Sequence, residues 1–163
     1  MEYTEKTNYS FETKRRIVIC GSMGAYSQML EVQHLLFSNN VRAIVPEAED
    51  HIKPTLTPED FSAFKRKVSH AYLRKIKDPR TFGILVVNPD KYKIPNYIGP
   101  NSFAEIAVAF AQSKKIFILN GIPDVYEDEI NSWGGVCLNG VLDLLVENYH
   151  QAIQKDQTQL QLF

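Results

Sequence analysis

The feature that most restricts the fold of this chain is residues 82–87, a run that is apolar apart from one glycine. A strand without a polar face is typical of a parallel sheet that is covered by helices on both sides. Short apolar segments also occur at residues 16–20 and 115–119, and weaker ones at 41–45 and 136–138. We therefore predict a parallel sheet of four to five strands.

Stretches with helical periodicity separate these predicted strands. The longest helix is predicted to begin after Thr57, a suitable N-cap residue, with Pro58 in its first position. Its apolar stripe consists of Phe61, Phe64, Val68, Tyr72 and Ile76. Other helices are predicted at 25–37, 102–113 and, capped by Asn139, up to residue 153. Strands that alternate with helices favour a three-layer, doubly wound α/β fold.

The chain length of 163 residues suits a single domain. We assign that domain to residues 15–155, with a flexible N-terminal arm at 1–14 and a C-terminal tail at 156–163. The net charge of −1 provides no electrostatic footprint for a nucleic acid polymer. The basic run at residues 65–67 falls on a predicted helix and is interpreted as a solvated face.

Cysteine usage and hydropathy indicate a cytoplasmic protein. The chain has two cysteines, Cys20 and Cys137, and neither belongs to a C-x-x-C pair or a zinc-type pattern. We expect Cys20 to pack as a small hydrophobic residue and expect no metal site. Residues 1–16 lack the apolar segment of a secretion signal, and no apolar run reaches the length that spans a membrane.

Ligands of such sheets bind outside the carboxyl ends of the strands. Three loops leave those ends, at residues 21–25, 88–101 and 120–124. The first contains Gly21-Ser-Met-Gly24, where glycine permits close approach and free N–H groups at a helix start favour anions. A tight strand-to-helix turn explains the same residues, because neither a Walker loop nor a complete G-x-G-x-x-G pattern is present.

The loop at residues 88–101 is longer than a simple strand-to-helix connection and is rich in Asn and Tyr. Tyrosine rings can stack on a planar ligand, and amides offer both donors and acceptors. A surface excursion shaped by Pro and Gly is the alternative. After this loop, Ser102 and Glu105 match a capping box, which gives Glu105 a structural role. The same position suits a nucleophile, because a helix N-terminus stabilises a carboxylate as an anion.

Residues 82–119 resemble the nucleoside 2-deoxyribosyltransferase superfamily. The resemblance is carried by ILVVN and by YIGPNSFAEIAVAFAQSKKIFIL, which contain a strand, a loop with Gly and a small hydroxyl residue, and a Glu that opens a helix. Residues 17–23 look like the first strand and loop of the family. The resemblance implies a flavodoxin-like fold, a homodimer or larger assembly, and no cofactor.

The activity that the resemblance implies is cleavage or exchange of the N-glycosidic bond of a nucleoside or nucleoside 5′-monophosphate. Glu105 would attack the anomeric carbon and form a glycosyl-enzyme intermediate. Because the strand before the loop ends in Asn88, the acid/base role falls to Asp90. The residues implied in substrate binding are Gly21, Ser22, Met23, Asn88, Tyr97, Gly99, Asn101 and Ser102. The first three would face the 5′ side of the sugar, where a basic lining would indicate a monophosphate.

Two other functions remain open at this point. A nucleotide-binding module without catalysis would keep the fold and the crevice but would use Glu105 only as a cap. A structural or partner-binding protein would use the long loop and the apolar tail as an interface.

Overall fold

The computed structural model describes residues 15–48 and 55–162, so the arm predicted at 1–14 lies outside the described residues. The strands are β1 (Arg16–Gly21), β2 (Ala43–Ile44), β3 (Thr81–Val87), β4 (Lys115–Ile118) and β5 (Val136–Cys137). The helices are α1 (Tyr26–Ser38), α2 (Pro58–Lys77), α3 (Pro100–Ala111), α4 (Glu127–Ser132) and α5 (Asp143–Gln161). Short 3₁₀ turns at Met23–Ala25 and Asp124–Tyr126 precede α1 and α4.

The strands form one five-stranded sheet in the order β2-β1-β3-β4-β5, and every neighbouring pair is parallel. This confirms the predicted α/β fold, which has the three-layer, flavodoxin-like arrangement. The connections leave β1 and β3 toward opposite edges of the sheet. Gly21 and Val87 pair at the carboxyl ends of these two strands, so the topological switch point lies there.

Both faces of the sheet are covered, which explains why its strands lack a polar side. Alternating residues of β1 enter different apolar clusters: Ile19 packs with Met29 of α1 and Tyr149 of α5, and Cys20 packs with Ile106 of α3. The expected burial of Cys20 is confirmed, since its side chain is fully buried. No helix in the described ranges is both long enough and apolar enough to cross a membrane.

The predicted start of α2 is confirmed, whereas the predicted start of α3 is wrong. The Thr57 hydroxyl accepts a hydrogen bond from the Asp60 backbone N–H at 3.2 Å, and Pro58 opens α2. Helix α3 begins at Pro100 rather than Ser102, with Gly99 as its N-cap. Proline favours the first helical position, so it displaces the Ser102–Glu105 capping box. Glu105 consequently lies in the second turn of α3.

The C-terminal helix also differs from the prediction at both ends. Asn139 is not its N-cap, because Asn139 and Gly140 have φ values of 51° and 80° and form a left-handed turn. Helix α5 starts at Asp143 and continues to Gln161, through most of the predicted tail. An ion pair of 2.8 Å between Asp156 and Arg15 joins the extended part to the start of β1.

Candidate active site

A cavity of about 370 Å³ opens at the carboxyl ends of β1 and β3. Its walls come from the loop after β1, the loop after β3, one face of α2 and the first turns of α3. Most of the predicted site residues line it, namely Gly21, Ser22, Met23, Tyr97, Gly99, Asn101, Ser102 and Glu105. The switch point therefore brings together predicted site residues from two separate segments, 21–23 and 97–105.

Glu105 carries the most unusual group in this cavity. Its Oε2 atom is buried and has no hydrogen-bond partner among the described residues. Burial raises the pKa of Glu105 to about 7, while a hydrogen bond from the Cys20 thiol and the charge of Lys65 lower it. The expectation that a helix N-terminus holds this group as an anion is therefore wrong. Both protonation states are populated near neutral pH, which suits proton transfer or a nucleophile that ionises easily.

Two neutral side chains, those of Tyr72 and Cys20, interact with the Glu105 carboxyl group. The Tyr72 hydroxyl of α2 donates a hydrogen bond to the Ile19 carbonyl of β1. Burial raises the pKa of both the Tyr72 phenol and the Cys20 thiol. Both groups therefore remain protonated, and uncharged, at neutral pH.

Lys65 is a cavity residue that the sequence interpretation missed. Within the basic run at 65–67, Arg66 and Lys67 are exposed as expected, but Lys65 is half-buried and lines the cavity. It shares this face of α2 with Val68 and Tyr72, three and seven residues further on. Because both of those residues belong to the predicted apolar stripe, helical spacing was the signal that could have identified Lys65.

A second cation, Lys91, lies beside the loop after β1. Its Nζ atom is 4.9 Å from the centroid of the Tyr92 ring and 5.8 Å from that of Tyr97. A methyl group placed on Gly24 would be 3.3 Å from the same Nζ atom and 3.8 Å from the Ser22 hydroxyl. The two aromatic rings therefore hold the ammonium group close to Gly24.

A tight turn presents Lys91 at this place. Lys91 and Ile94 exchange two backbone hydrogen bonds, of 3.1 and 2.8 Å, so the chain reverses through the two residues between them. Tyr92 and Lys93 have φ values of 53° and 58°, as a type I′ turn requires. Neither residue is glycine or asparagine, so the turn stores backbone strain.

Two predicted site residues, Asn88 and Asp90, do not line the cavity. Asn88 is fully buried and donates to the carbonyls of Asn96 and Gly121, at 3.2 and 2.8 Å. Asp90 is exposed, and its carboxylate accepts a hydrogen bond of 2.9 Å from the Asn96 backbone. Both side chains are used to shape the loop after β3. Among the described residues that line the cavity, Glu105 is thus the one that carries a carboxyl group.

The cavity combines one carboxylate, that of Glu105, with two cations, Lys65 and Lys91. Within the described ranges, no group of three His, Cys, Asp or Glu side chains is placed to hold a metal ion. In comparisons with known proteins, no family model, no curated protein and no solved structure matches this chain.

Proposed function

We propose that this protein cleaves or transfers the N-glycosidic bond of a nucleoside 5′-monophosphate, with Glu105 as the nucleophile. The observation that supports this most strongly is the buried Oε2 atom of Glu105, which has no partner in a cavity at the switch point. A carboxylate in this position is available to a ligand rather than committed to the fold. Folded proteins rarely leave a buried polar atom unpaired without a functional reason.

The phosphate is inferred from the wall of the cavity opposite α2. Lys91 and Ser22 both line the cavity, and the Lys91 ammonium group lies close to Gly24 of the first loop. An ammonium and a hydroxyl that line one cavity favour a phosphate over a neutral 5′-hydroxyl. The rings of Tyr97 and Tyr92 contact each other edge to face, with centroids 5.5 Å apart, and add aromatic surface at this wall.

The proposed reaction has two steps. In the first, an oxygen of ionised Glu105 bonds to the anomeric carbon, and the electron pair of the broken C–N bond leaves with the base. In the second, water or another base attacks the same carbon and the carboxylate is released. Hydrolysis and transfer differ only in the acceptor of this second step.

Release of free base from a panel of nucleosides and 5′-monophosphates tests the proposal. We expect the parent protein to release base from at least one monophosphate, and Glu105→Gln to lose about three orders of magnitude in rate or more. Glu129→Gln is the matched control, since Glu129 is exposed on α4 and does not line the cavity. A parent that cleaves no member of the panel would remove the proposal.

A second candidate is nucleotide binding without catalysis. It is favoured by Asp90, which was predicted as the acid but is exposed and lies outside the cavity. Calorimetric titration with nucleoside monophosphates distinguishes the two functions. The second candidate requires binding without any base release, and it requires that Glu105→Gln binds the nucleotide as the parent does.

A further inference from the structure

The two cations of the cavity lie on different walls. Lys91 belongs to the loop after β3 and is held by aromatic rings beside Gly24. Lys65 belongs to α2 and enters the cavity on the same helix face as Val68 and Tyr72. The Lys65 charge acts on the Glu105 carboxyl, whose pKa it lowers against the effect of burial. Because Lys65 and Glu105 line the same cavity from neighbouring helices, we assign Lys65 to the reacting carboxylate and Lys91 to the 5′ end of a ligand.

The proposed reaction needs a proton at the leaving base. When the C–N bond breaks, the departing nitrogen receives the electron pair and becomes a strong base unless a positioned acid protonates it. Asp90, the acid expected from the sequence, is exposed and outside the cavity. Lys65 lines the cavity from α2 and Glu105 lines it from α3, and the Lys65 ammonium group carries three donor hydrogens.

We propose that Lys65 is a catalytic residue that donates the proton to the leaving base, an inference that rests on the proposed function. In the first step, a proton moves from Lys65 Nζ to the base nitrogen while Glu105 bonds to the anomeric carbon. Lys65 is then a neutral amine. In the second step, this amine takes a proton from the attacking water or incoming base as the bond to Glu105 breaks. Both residues return to their starting states.

Leaving-group dependence tests this role, because a purine methylated at N7 departs as a neutral base and needs no proton. The probes are a purine 5′-monophosphate and its N7-methylated counterpart. Base release is measured in a single turnover with protein in excess, so that the second step, in which Lys65 acts as a base, does not contribute. We expect Lys65→Gln to slow release of the unmethylated purine by about 100-fold or more, and to slow release of the methylated purine by at least about tenfold less. Lys65→Arg keeps the charge but cannot donate at neutral pH, so it behaves like Lys65→Gln.

Chemical rescue supplies a second measurement that does not depend on the methylated substrate. In Lys65→Ala, added methylammonium is expected to restore base release in proportion to its concentration. Lys67→Gln is the matched control, since Lys67 is exposed on the same helix and does not line the cavity. Thermal unfolding of each variant shows that a lost rate does not come from a lost fold.

Several results would overturn the inference. They are equal slowing of both substrates without rescue, full activity of Lys65→Arg, and full activity of Lys65→Gln. With any of these, a parent that still depends on Glu105 leaves the proposed function intact. A parent that releases no base from any substrate overturns both, because a proton donor then has no reaction to serve.

Discussion

At the scale of single residues, Glu105 combines two properties that oppose each other. Its burial favours the protonated form, and the nearby Cys20 thiol and Lys65 charge favour the ionised form. The balance leaves a carboxyl group that titrates close to neutral pH. Ionisation of such a buried group lowers the stability of the fold. A catalytic role therefore explains its presence in the cavity better than a contribution to stability does.

This balance predicts a pH-dependent difference in stability between the parent and Glu105→Gln. The pKa of Glu105 is about 7 in the folded chain against an ordinary value of 4.5. Its contribution to folding is therefore complete below the ordinary pKa and is lost as the pH rises through the folded one. Urea unfolding should show the parent losing roughly 3 kcal/mol relative to the variant between about pH 4 and about pH 8. A difference that does not change with pH would show that Glu105 is not buried as described.

The same group predicts the acid limb of the pH–rate profile. Only ionised Glu105 can attack, so base release should rise about tenfold per pH unit at low pH and level off above about pH 7. The profile is measured as kcat/KM against pH, because this ratio reports the pKa of Glu105 in the free protein. A limb centred near the ordinary carboxyl pKa would indicate that a carboxylate other than Glu105 attacks.

At the scale of secondary-structure elements, the strands and most helices follow from the sequence, and the errors concern the starts of α3 and α5 and the end of α5. The strands were predictable because unbroken apolar runs allow few other structures. Two helix starts were predicted wrongly because Ser102 and Asn139 are residue types that favour the N-cap position. The structure instead begins α3 at Pro100 and places Asn139 in a left-handed turn with Gly140. Which candidate residue caps a helix depends on how the helix packs in the folded protein, and the local sequence does not carry that information.

The turn after Lys91 gives a prediction at this scale. Lys93 adopts a left-handed conformation that glycine adopts without strain. We expect Lys93→Gly to stabilise the fold by roughly 0.5–1 kcal/mol, as measured by urea unfolding. Lys67→Gly, in the middle of α2, is the control and should destabilise by about 1 kcal/mol. Destabilisation by both variants would argue against the type I′ turn.

At the scale of the whole molecule, the site depends on how the strand ends are joined. Chain order places the loops after β1 and β3 side by side at the switch point, so Gly21 and Glu105 could be assigned to one crevice from the sequence. The roles of Asn88 and Lys65 could not be assigned in this way. Residue type marks Asn88 as a possible ligand contact, but only its position shows that its amide joins two loops.

This joining role predicts that Asn88 matters for stability more than for substrate contact. Asn88→Ala removes bonds to Asn96, Gly121 and the Asn120 N–H, the last at 3.1 Å, and leaves buried groups unpaired. We expect a loss of roughly 2–4 kcal/mol in the free energy of unfolding. Asn131→Ala is the exposed control and should change stability by less than about 0.5 kcal/mol. An equal effect of the two substitutions would contradict the role given to Asn88.

The whole account depends on a covalent bond between Glu105 and the sugar. The most direct test is the mass of the acid-quenched protein during turnover of a nucleoside 5′-monophosphate, followed by peptide mapping. We predict a sugar-phosphate adduct on the peptide that contains Glu105 in the parent, and no adduct in Glu105→Gln. Base release by Glu105→Gln at the parent's rate, or an adduct on a different residue, would contradict the account.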